Sequence, residues 1–111
     1  MAVTKQPPQP ISWAVARAVA ARFAPAERRA AGELLAAYVC RERDRVHRAL
    51  LALSDGELRS LTDLTRAVTD YRDILALEPY TSGGKLRSDP ARAWLDREFA
   101  TYRIPVPKGL R

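Results

Sequence analysis

A chain of 111 residues and 12.4 kDa, 47% apolar and 29% charged, is of single-domain size and ordinary globular composition, which excludes wholesale disorder. One cysteine, Cys40, and one histidine, His47, exclude a disulfide scaffold and a multi-thiolate metal cluster. No apolar run reaches the roughly 18–20 residues that a membrane span needs, and the net charge of +6 is uneven: residues 1–53 carry +5, residues 54–78 carry −3 and residues 79–111 carry +4.

Residues 1–10 hold Pro7, Pro8 and Pro10 and read as an extended tail. Arg17 and Arg22 interrupt the first apolar stretch, so no secretory leader is expected. The first acid is Glu27, and an acid-free, Arg-bearing, amphipathic start is also the pattern of a mitochondrial presequence, with only Thr4 and Ser12 as hydroxyls. A first helix is predicted over 12–24, capped by Ser12 and stopped by Pro25. Its apolar stripe is Trp13, Ala16, Val19, Ala20 and Phe23, flanked by Arg17 and Arg22. Trp13 and Phe23 read either as core anchors or as a face for a partner.

A second helix is predicted over 26–53, since no proline follows Pro25 and Gly32 is the only glycine before Gly56. Its stripe is Ala31, Leu35, Tyr38, Val39, Val46, Ala49, Leu50 and Leu53. Glu42 falls inside that stripe, where a carboxylate must find a partner within the chain, meet a cation on another chain, or stay wet. A third helix is predicted over 54–78, with Ser54 and Glu57 as a capping box and Leu58, Leu61, Leu64, Val68, Tyr71 and Leu75 as its stripe. Arg59/Asp63 and Arg66/Asp70 are spaced as ion pairs on its opposite face. Residues 79–88 form a loop, and Asp89-Pro90 open a fourth helix whose stripe is Ala91, Trp94, Leu95, Phe99 and Tyr102. The last residues, with Pro105 and Pro107, are expected to be extended.

Chemistry is sparse. Ser82-Gly83-Gly84-Lys85 lacks the first glycine and the final hydroxyl of a phosphate-binding loop, and no strand precedes it. Cys40 and His47 stand two turns apart on a straight helix, about 10.5 Å, too far for a shared metal or a nucleophile–base pair unless that helix is broken. The acids of 54–78 single out no acid–base pair. The chain has no Asn, and its two Gln lie in the first ten residues, which argues against reading of base edges.

The expected fold is all-α: a small four-helix bundle or helical hairpin over 11–103, with extended Pro-bearing tails at 1–10 and 104–111. The expected function is a non-enzymatic accessory subunit that docks on a larger protein assembly, without cofactor or metal. Trp13, Phe23, Glu42, Ile104, Val106 and Leu110 are its candidate contacts. The tail 104–111 either docks on the partner or folds back over Trp94 or Phe99. The first alternative is a sequence-nonspecific nucleic-acid binder using Arg41, Arg43, Arg45, Arg48, Lys85 and Arg87 as anion contacts. Against it, 16 of the 19 cations are arginine and 19 residues are alanine, a bias that a GC-rich coding sequence also produces. The second alternative is an accessory subunit of a mitochondrial complex. An intracellular location, cytoplasmic or on the matrix side, is expected, with peripheral membrane contact open.

Overall fold

Ser12 starts the first helix, α1 (Trp13–Arg22), by accepting the Val15 N–H at 3.2 Å. The structure is a computed structural model and describes residues 9–77, 89–107 and 109. After α1 come α2 (Pro25–Ala37), α3 (Arg43–Ser54), α4 (Leu58–Ala67), α5 (Tyr71–Leu77) and α6 (Asp89–Tyr102), so the fold is all-α. Pro25 sits in the first turn of α2, where its missing N–H removes nothing.

The four predicted helices become six among the described residues because two of them are broken. The stretch 26–53 is not one helix. A straight helix of that length would span about 42 Å, longer than the greatest extent of the molecule, 38 Å. Instead the chain turns through 38–42, with Glu42 in the left-handed region at φ 53°. The turn puts Tyr38 and Val39 into the core as loop residues. Glu42 therefore leaves the apolar stripe altogether, stays exposed and pairs with Arg45 at 3.5 Å.

The stretch 54–78 breaks as well. Ser54 is not a helix cap. It is the buried last residue of α3, and its Oγ donates to the Leu51 carbonyl within that helix. The sequence Ser-Asp-Gly-Glu serves instead as a helix stop. Asp55 and Gly56 take left-handed angles, and the Asp55 N–H closes on the Leu51 carbonyl at 2.9 Å. Glu57 then becomes the residue that precedes α4. A second interruption at 68–70 ends α4, and Asp70 accepts from the Arg72 N–H to begin α5. Neither predicted ladder pair forms: Asp70 turns to Arg72 at 2.7 Å, and Arg59 and Asp63 do not meet.

The two breaks brace each other. The Tyr38 hydroxyl, in the first, donates to the Val68 carbonyl that the second leaves free. The Tyr38 carbonyl in turn accepts from Nε2 of His47 at 3.2 Å, and that bond fixes the ring's proton on Nε2. Burial pushes the Tyr38 phenol well above its ordinary range, so it is held as a donor.

Around this joint the helices assemble on α3, which packs against α1, α4 and α5. The start of α1 is tied to the joint: the Gln9 N–H donates to the Ala36 carbonyl at 3.0 Å, and the Arg43 guanidinium donates to the carbonyls of Gln9 and Pro10. The end of α1 meets the α3–α4 turn, where a Cβ on Gly56 would lie 2.4 Å from the Arg22 carbonyl oxygen. Hence α1 and α3 run side by side in one direction, and α2 returns against α1 and packs on α4. Of the stripe expected for α1, Val19 and Phe23 are buried, but Val15 joins them in place of Trp13, which is 74% exposed.

The chain after α6 does not leave the molecule. Arg103 adopts φ 58°, its N–H bonds to the Ala100 carbonyl, and the Ile104 N–H reaches the Phe99 carbonyl at 3.3 Å, a Schellman ending. This turns Ile104 and Val106 onto the core. Gly109 then lies so close to α3 that a Cβ would stand 2.1 Å from the Ala52 carbonyl oxygen.

Candidate docking groove

Among the described residues, a concave surface lies in a groove between α2 and α4. Ala30, Leu34 and Ala37 recur along α2, and Leu58, Thr62, Thr65 and Arg66 along α4. One part, about 320 Å³, is lined by Ala30, Glu33, Leu34, Ala37, Leu58, Thr62 and Arg66. The next, about 210 Å³, shares Leu34, Ala37 and Arg66 and adds Tyr38 and Thr65. The two therefore form one trough. The threonine hydroxyls are already satisfied, Thr62 by the Leu58 carbonyl at 2.8 Å and Thr65 by the Leu61 carbonyl at 2.9 Å. The groove wall thus presents mainly carbon, and its two parts lie at or below the lower end of the roughly 300–1,000 Å³ of ligand pockets. Its shape suits the ridge of another helix.

The rim is charged. Glu33 pairs with Arg29 at 3.2 Å on the α2 side. On the α4 side, Arg59 and Arg66 are exposed and enter none of the ion pairs found among the described residues. Arg66 lines the groove and Arg59 lies two turns before it on α4, with Asp63 one turn from each.

The residues singled out by sequence lie elsewhere and apart. Phe23 is 3% exposed and belongs to the core, out of a partner's reach. Trp13 is exposed on α1 with the Arg17 guanidinium stacked 4.8 Å from its ring centre. Glu42 lies on the link and Ile104 and Val106 on the C-terminal turn, both half-buried. Among the arginines, Arg43 holds the Gln9 and Pro10 carbonyls and Arg45 holds Glu42, while Arg41 and Arg48 stay exposed without a partner. Lys85, Arg87 and Leu110 lie outside the described residues, as do Ser82, Gly83 and Gly84 of the loop and the side chains of Trp94 and Leu95.

The helix break reopens the question of Cys40 and His47, because their separation is no longer that of a straight helix. Nε2 of His47 is on the Tyr38 carbonyl, and Nδ1 is buried without a partner. Burial pushes the Cys40 thiol up to about 11, which keeps it protonated at neutral pH. The geometry thus joins His47 to Tyr38 and not to Cys40. No group of three or more His, Cys, Asp or Glu side chains converges among the described residues, and no helix there is long and apolar enough to cross a membrane.

The groove was missed by the sequence reading, although a signal existed. Ala30, Leu34 and Ala37 make a second apolar stripe beside the one formed by Ala31, Leu35 and Tyr38. An arc wider than one core face needs is a mark of a helix with two apolar neighbours. Comparison with protein-family models, with curated proteins and with solved structures finds no match to this chain.

Proposed function

We propose that this protein is a non-catalytic docking module whose α2–α4 groove seats an amphipathic helix of a larger protein partner, with acidic residues on the edge that meets Arg59 and Arg66. The groove carries this reading: an apolar trough between two helices is the shape that helix-in-groove recognition uses. The exposed Arg59 and Arg66, neither in an ion pair among the described residues, support an acidic partner, since complementary charge steers encounter and fixes register. The nucleic-acid alternative draws less support, because Arg43 and Arg45 already hold partners within the chain and leave only Arg41 and Arg48 of that cluster.

The test is an NMR titration with three helical peptides that share one Leu/Ala face and differ in rim charge: acidic, neutral and basic. The acidic peptide should bind tightest and shift the amides of Ala30, Leu34, Ala37, Thr62 and Thr65. Arg66→Glu should weaken it about tenfold, which is about 1.4 kcal/mol. Equal binding of all three peptides, or shifts centred on Trp13, would contradict the proposal. Binding of random-sequence RNA that falls steeply with salt would favour the alternative.

A further inference from the structure

His47 is the one fully buried titratable side chain among the described residues with an orphaned polar atom, and it sits at the joint where a helix-forming sequence is bent. Residues 26–53 hold no helix breaker at the bend, since positions 38–42 read Tyr-Val-Cys-Arg-Glu. The bend is therefore imposed from outside. Tyr38 is held at both ends, by His47 through its carbonyl and by Val68 through its hydroxyl. It also carries a cost, because Glu42 is a non-glycine residue in the left-handed region.

We propose that His47 is a proton-operated latch on the α2–α3 joint: uptake of a proton releases 38–42, and residues 26–54 join into one continuous helix. The neutral ring fits its site. Nε2–H donates to the Tyr38 carbonyl, and the bare Nδ1 needs no acceptor. A proton on Nδ1 places a cation in the core on a nitrogen that has no hydrogen-bond partner in the bent form. Burial accordingly holds His47 below its ordinary range, and Arg43 pushes the same way. The Tyr38 carbonyl, Asp44 on α3 and the Leu35 carbonyl on α2 push the other way, and burial outweighs them. The Tyr38 ring feels Cys40 from the link, Asp70 and Asp73 from the α5 side and Tyr102 from α6.

The sign of the effect follows. With its bound-state affinity for protons lowered by folding, His47 favours the bent form fully above about pH 6.5 and progressively less as pH falls below it. The straight form returns Tyr38 to the helical stripe of Leu35, Val46 and Leu50 and frees Glu42 of its strain. It also draws α2 away from α4, so the latch would open the groove whatever the groove binds.

The test uses spin labels at the exposed positions Arg29 and Arg48 in the full chain with Cys40→Ala, measured at pH 7.5 and pH 5. In the bent form α2 runs opposite in direction to α3, so the labels lie nearer together than in a straight helix. In a continuous helix 19 residues separate them by about 28 Å. The distance should lengthen to that value at pH 5 while helicity holds or rises. His47→Gln keeps a donor for the Tyr38 carbonyl but takes up no proton, and should remove the response. Glu42→Gly relieves the left-handed strain and should move the transition to lower pH. An unchanged distance, a broad distribution with loss of helicity, or a response that survives His47→Gln would overturn the latch.

Discussion

Tyr38 shows how one side chain can decide a backbone path. It is 3% exposed, yet it lies in a link and not in a helix, and its hydroxyl and carbonyl both make buried contacts. Phenylalanine in its place would keep the ring and leave the Val68 carbonyl without its donor. Tyr38→Phe should therefore cost about 1–3 kcal/mol in a denaturant melt. Asp70 is a second residue whose environment sets its chemistry. Hydrogen bonds from the Arg72 side chain and backbone hold its carboxyl well below the usual carboxylate range. Its contribution to stability is thus lost only in strong acid, as pH falls below about 3.8, well apart from the window of His47 near pH 6.5.

At the scale of elements, Ser54 and Gly56 separate two readings of one tetrapeptide. If Ser54 capped a helix, Ser54→Ala would cost about 0.5–2 kcal/mol. As the last residue of α3 it should cost about 0.5 kcal/mol or less, since the Leu51 carbonyl keeps the Asp55 N–H and alanine is a better helix former. Gly56→Ala should instead be severe, at least about 1 kcal/mol from its positive φ alone, with the clash against the Arg22 carbonyl added. Paired melts of the two variants decide between the readings.

Much of the element pattern was legible in the sequence. The Ser12 cap, the Pro25 junction and the Asp89-Pro90 start of α6 all follow from local rules that act within one turn. The breaks at 38–42 and 68–70 were not legible, because no glycine or proline marks either and each is satisfied by the other across the fold. The face of α1 was legible in part. Val19 and Phe23 of the expected stripe are buried, whereas Trp13 lies outside the arc that α3 covers and Val15 takes its place. The groove was missed because it is a property of two helices side by side.

For the whole molecule, the C-terminal turn matters most. Ile104 and Val106 pack on the core, and Pro107 and Gly109 are buried. Deleting 104–111 should lower the melting temperature by at least about 4 °C, the shift that loss of 1 kcal/mol gives a domain of this size. The described residues 104–107 and 109 thus lie back on the bundle, beside the end of α6 and against α3.

The helix interruptions set the turns that bring α2 against α4 and so form the groove. Backbone carbon chemical shifts of the intact chain at pH 7.5 test this most directly. Residues 38–42 and 68–70 should show non-helical shifts between helical runs, with Glu42 in the left-handed range. An unbroken run of helical shifts over 26–53 would contradict it.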